Sequence, residues 1–145
     1  MRFWDASAVV PLILGEPATN DMLELRRQDP EIAVWWGTRV ECASALSRRS
    51  REASPEVDQW VQAKQRLMIV FTGFMEIAPT DEVRTRAERL LTIHPLRAAD
   101  ALQLAAALLW ASERPTGAYF VSLDNRLQAA ARHEGFEVLP NSDST

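Results

Sequence analysis

Short unbroken apolar runs alternate along this chain with longer stretches whose apolar positions recur every three or four residues, the patterns of buried strands and of helices. The first run, Met1-Arg2-Phe3-Trp4, ends on Asp5 and predicts a brief buried strand. A helix is expected from near Ser7, stopped by Gly15-Glu16-Pro17. Pro11 falls inside it, where the missing N–H removes a backbone hydrogen bond, so a late start or a kink is expected there. Met22, Leu23 and Leu25 mark a second helix over 18–28, ended by Asp29-Pro30. Ile32-Ala33-Val34-Trp35-Trp36 reads as a second strand, bounded by Gly37. Thr38, with Glu41 three residues on, has capping-box spacing and opens a helix through Leu46 to Arg48-Arg49-Ser50-Arg51. Ser54-Pro55-Glu56 opens the next, which runs through Trp60 and Leu67 to Val70.

Phe74-Met75-Glu76-Ile77-Ala78 predicts a third strand, and Thr80-Asp81-Glu82-Val83 the capped start of a helix reaching Ile93. Residues 96–108 are so rich in Ala and Leu that nearly every face is apolar, which predicts a helix buried on most sides with one carboxylate, Asp100, near its start. A fourth strand over 118–122, a helix over 124–134 and a fifth strand over 136–139 follow, and the polar residues from Asn141 are expected to be a flexible tail. Strands alternating with helices in this way predict a three-layer α/β/α domain on a short central parallel sheet.

Composition narrows the class. At 145 residues, 47% hydrophobic and 25% charged, the chain suits one globular domain and neither a disordered nor a fibrous protein. No stretch approaches eighteen consecutive apolar residues and the N-terminus lacks a signal-peptide pattern, so a cytoplasmic protein with no membrane segment is expected. Cys42 is the only cysteine, which rules out an intrachain disulfide. One cysteine with His94 and His133 does not make a typical Cys/His zinc site, so oxygen ligands are expected for any metal. Lys64 is the only lysine, which leaves one candidate for any chemistry that needs that amine.

In an open parallel sheet, ligands bind beyond the carboxyl ends of the strands. Asp5 ends the first strand, Glu41 lies in the first turn after the second, and Asp124 follows the fourth, so topology puts all three at one rim. Asp100 reaches the same rim if its helix crosses the sheet in the right sense. Each acid also has a plain role open to it: Asp5, Asp100 and Asp124 at helix N-termini, Glu41 closing the box with Thr38. Four carboxylates around one crevice repel one another, a conflict that a divalent ion removes. These four equal the net charge of −4, so the rest of the chain is neutral overall, and Arg48, Arg49, Arg51, Arg97 and Arg126 are candidates for phosphate contacts.

Phe3-Trp4-Asp5-Ala6-Ser7-Ala8, Arg39-Val40-Glu41-Cys42-Ala43-Ser44-Ala45-Leu46, Leu96-Arg97-Ala98-Ala99-Asp100-Ala101-Leu102-Gln103-Leu104-Ala105 and Phe120-Val121-Ser122-Leu123-Asp124-Asn125-Arg126-Leu127 resemble, in order, the acidic motifs of PIN-domain ribonucleases, above all the VapC toxins of bacterial toxin–antitoxin pairs. The resemblance implies one PIN-like domain over 1–139, with 140–145 as the tail. It implies an endoribonuclease whose Mg²⁺ or Mn²⁺ is bound by Asp5, Glu41, Asp100 and Asp124, with Ser7 as the supporting hydroxyl. It further implies an RNA substrate, a homodimer and a cognate antitoxin protein that occupies the crevice. Trp4, Pro11 and Gln103 depart from the pattern, an aliphatic residue and a histidine being usual at the first and last. Two rival readings are a PIN-like protein-binding module with lost or masked activity and an aspartyl-phosphate enzyme. The second lacks a well-placed lysine and has Ser7 where such phosphatases carry a second aspartate.

Overall fold

Strand geometry sends consecutive side chains to opposite faces of a sheet. In the computed structural model, which describes residues 1–52 and 57–141, this alternation divides the core into two clusters. Strands β1 (Arg2–Trp4), β2 (Ile32–Trp35), β3 (Met75–Ile77), β4 (Tyr119–Val121) and β5 (Glu137–Leu139) form one sheet, every pairing parallel, in the order β3-β2-β1-β4-β5. Trp4, Val34 and Val121 point to the face covered by α1 (Ala6–Ile13), α2 (Thr19–Gln28), α3 (Thr38–Glu52) and α4 (Val57–Thr72). Phe3, Ala33 and Phe120 point to the other, covered by α5 (Asp81–Leu91), α6 (Ala98–Trp110) and α7 (Asn125–Glu134). The three-layer expectation holds. The expected helix start at Ser54-Pro55-Glu56 and the tail beyond Asn141 lie outside the described residues.

Local chemistry sets the element ends. The Thr80 hydroxyl accepts the Val83 N–H at 3.3 Å, so α5 starts as its sequence predicts. Gly135 ends α7 at φ +110°, a left-handed conformation that costs little without a Cβ. Pro11 corrects the expectation of a late start: α1 begins at Ala6 and runs through the proline, whose carbonyl accepts a hydrogen bond from the Thr19 hydroxyl at 2.8 Å. Trp4 and Trp35 are buried, whereas Trp36 is 53% exposed. No helix among the described residues is long and apolar enough to cross a membrane.

The strand order also locates the crevice. From β1 the chain moves outward through β2 to β3, then returns across the opposite face by α5 and α6 to β4, on the other side of β1. The direction of winding reverses between β1 and β4, and their carboxyl ends open the crevice where such sheets take ligands.

Candidate active site

Asp5 is the first residue beyond β1, and its N–H is held by the Val121 carbonyl of β4 at 3.0 Å. It occupies the N-cap position of α1, but its side chain makes no cap hydrogen bond. Instead Oδ1 accepts the Ser7 hydroxyl at 2.7 Å. Ser7 Oγ in turn accepts the Leu123 N–H at 2.9 Å and lies 3.4 Å from Ser122 Oγ, which accepts the Asp124 N–H at 3.1 Å. This run of bonds ties the loop after β1 to the loop after β4. Asp5 is only 4% exposed, and burial pushes its carboxyl up to about 7. Hydrogen bonds from Ser7 and Ser122 oppose that shift, while the charge of Glu41 adds to it.

Glu41 lies in the first turn of α3, but the expected capping box does not form. Gly37 precedes the helix and its carbonyl accepts the Glu41 N–H at 3.2 Å. A Cβ at Gly37 would sit 2.5 Å from Trp35 Nε1, so no larger residue fits there as packed. Thr38 lies inside the helix, and its hydroxyl exchanges hydrogen bonds with the Gln103 side-chain amide of α6 at 2.9 and 3.3 Å. Gln103 Nε2 also donates to the Glu41 carboxylate. Burial raises the Glu41 pKa, the Gln103 bond lowers it, and Asp100 raises it again.

Asp100, in the first turn of α6, has a pKa raised by burial and then by Asp124, against the pull of a backbone hydrogen bond at Arg97 and the charges of Arg97 and Arg126. Asp124 does cap α7, Oδ1 accepting the Leu127 N–H at 3.0 Å, which leaves its second oxygen for other work. Glu41, Asp100 and Asp124 together line an open pocket of about 680 Å³ with Arg48, Arg97 and Arg126. α6 therefore opens at the rim that topology assigned to the other acids. Asp5 is buried and does not line this pocket, but it lies close enough for the Glu41 charge to raise its pKa.

The family model described as PIN domain matches residues 2–133. The chain belongs to the PIN domain family. The crystal structure of PAE2754 from Pyrobaculum aerophilum is similar to it, with 25% identity and a TM-score of 0.60 over 94% of this chain and 87% of that one. No curated protein matches. PIN domains are generally metal-dependent nucleases, and the donors at this rim suit that chemistry. They are all carboxylate oxygens, the choice of Mg²⁺ and Mn²⁺. Among the described residues no three of these acids bring ligand atoms within 4.8 Å of one another. An open arrangement of this kind fits an ion that keeps several waters and takes few protein ligands beside a substrate phosphate.

In this PIN domain two positioning residues escape a reading of local pattern. Ser122 stands two before Asp124, a spacing at which a serine hydroxyl bonds backbone, and that is the available signal. Gln103 is three residues after Asp100 on α6 and bonds partners 62 and 65 residues away, which no spacing reveals. Gln103→Leu strips Glu41 of its donor and leaves the buried Thr38 hydroxyl unpaired. The expected cost is about 1–3 kcal/mol in urea unfolding. A cost no larger than that of an exposed control substitution would refute the positioning role.

Proposed function

We propose that this PIN domain is a Mg²⁺- or Mn²⁺-dependent endoribonuclease, the toxin of a toxin–antitoxin pair, acting in the cytoplasm as a homodimer that a cognate antitoxin protein restrains. The observation that carries the nuclease reading is the meeting of Glu41, Asp100 and Asp124 in one arginine-bearing pocket, with Glu41 close enough to the buried Asp5 to raise its pKa. The toxin, antitoxin and dimer follow from the likeness of the four acidic motifs to VapC toxins.

Asp5 and Asp100 are assigned as direct ligands of the ion, with Glu41 beside them and Asp124 acting through water. When bound, the ion supplies positive charge to the attacked phosphate and lowers the pKa of a water so that it can attack in line. The chain's own groups do the rest. Ser7 fixes Asp5 by donating its only hydroxyl proton to Oδ1. Gln103 holds Glu41, and the Asp124 cap fixes the start of α7. Arg48, Arg97 and Arg126 line the same pocket and are placed to meet RNA phosphates, which position a strand without reading its sequence.

The test is a time course of total cellular RNA with purified protein in Mg²⁺, Mn²⁺ or EDTA, beside Asp100→Asn, which keeps the shape and removes the charge. Expected are discrete fragments that vanish in EDTA and fall at least about a hundredfold in the variant, the scale seen when one group facing developing charge is lost. Equal cleavage by both proteins would trace the activity to a contaminant. No cleavage by either, with the fold intact and metal bound, replaces this reading with the binding module.

A further inference from the structure

His94 and His133 are too few for a Cys/His zinc site, yet both approach one carboxylate. His94 lies in the connector between α5 and α6, and His133 and Glu134 close α7. Glu134 Oε2 is 3.0 Å from His94 Nε2 and 3.7 Å from His133 Nδ1, with the imidazole rings 5.0 Å apart at 81°. One ligand atom from each residue lies within 4.8 Å of the other two. Donors on a tetrahedral Zn²⁺, at about 2.0–2.1 Å from the ion, stand roughly 3.3–3.4 Å apart, so the two observed separations bracket the spacing required. The second Glu134 oxygen accepts from the Arg86 guanidinium at 3.3 Å, which turns Oε2 toward the histidines and provides the outer partner that ligand carboxylates have.

We propose that His94 Nε2, His133 Nδ1 and Glu134 Oε2 form a second metal site, for Zn²⁺ or a like borderline divalent transition ion, separate from the carboxylate pocket. The His94 and Glu134 side chains are 7% and 13% exposed and that of His133 is 70% exposed, so a part-buried, hydrogen-bonded pair is closed by a surface residue. The fourth position faces solvent and takes water. Two imidazoles select against Mg²⁺, which prefers oxygen. An ion here clamps the last turn of α7, the helix that Asp124 caps at its other end, to the connector that leads into the Asp100 end of α6.

The test is titration of the full, untagged, EDTA-stripped chain with Zn²⁺, and with Co²⁺ as a spectroscopic probe, in excess Mg²⁺. Expected is a site that Asp100→Asn retains, with Co²⁺ absorbing in the visible as a four-coordinate ion, and that raises the melting temperature when Zn²⁺ binds. His133→Ala, at an exposed position, and Glu134→Gln each weaken it by at least about tenfold, since losing a ligand costs no less than losing an outer partner. Unchanged Zn²⁺ affinity in His133→Ala, loss in Asp100→Asn instead, or no saturable binding by the wild-type chain each overturns the proposal.

Discussion

Asp5→Asn is expected to abolish the proposed cleavage and at the same time to stabilise the metal-free protein above neutral pH. Both effects come from one buried carboxyl. Its pKa is pushed from an ordinary 3.8 to about 7 in the fold, mainly by burial. The folded state therefore binds a proton that the unfolded chain has already released between those two pH values. For a raised acid the stability contribution is full below pH 3.8, declines as pH rises, and is gone above about 7. Each factor of ten in proton affinity is worth about 1.4 kcal/mol, so the loss from Asp5 is on the order of 4 kcal/mol. The raised carboxyls of Glu41 and Asp100 act in the same direction. In EDTA, wild-type stability measured by urea unfolding falls from pH 4 to pH 8, and the fall is smaller in Asp5→Asn. Millimolar Mg²⁺ at pH 8 restores the wild type and not the variant, because an ion that binds only the folded state stabilises it by mass action. Parallel pH profiles for the two proteins would sink the assignment of this carboxyl.

Phe120→Ala is expected to change stability by a comparable amount in the opposite direction, with none of the charge dependence. Phe120 is fully buried at the centre of β4, its ring 5.6 Å from those of both Phe3 and Phe136. It belongs to the cluster that joins β1 and β4 to α6 and α7. Truncation removes a large apolar area and leaves a cavity in a cluster to which both strands and helices contribute, so no single element can move to fill it. The expected cost is about 3–5 kcal/mol. At this chain length it lowers the melting temperature by roughly 6–20 °C. Tyr119→Ala is the control one residue away, at 40% exposure on the same strand, where a surface substitution costs about 0.5 kcal/mol. Similar losses at both positions would mean that β4 is held by its backbone pairing rather than by the core.

The residues that were legible are those whose environment is written beside them. Residues 96–108 announce a buried helix because Ala and Leu occupy every face of it, and they are the inner helix of the Phe3 side. Asp124 reads as a cap from its neighbours alone and is one. Thr38 misleads for the same reason. Its box with Glu41 is correct as a local pattern, but the amide that takes both side chains belongs to Gln103, 65 residues along the chain from Thr38. The crossing of α6 decides whether Asp100 shares a rim with Asp124, and only the packed sheet settles that. The histidines escaped because counting Cys and His alone ignores a glutamate as the third donor. His94 and Glu134 are brought together over 40 residues by the docking of α7 on the α5–α6 connector.

The pairing of β1 with β4 fixes when this protein can begin to act. Phe3 and Trp4 align with Phe120 and Val121, and Ser7 meets Ser122 across 115 residues of chain. A ribosome adds about 5–20 residues per second, so roughly 6–23 s pass between the synthesis of these two serines. Until then β1, the centre of the sheet, has only β2 beside it, and Asp5 lacks its Val121 and Ser122 partners. On the nuclease reading, the translating machinery and the transcript it holds are not exposed to a working enzyme while most of the chain is being made.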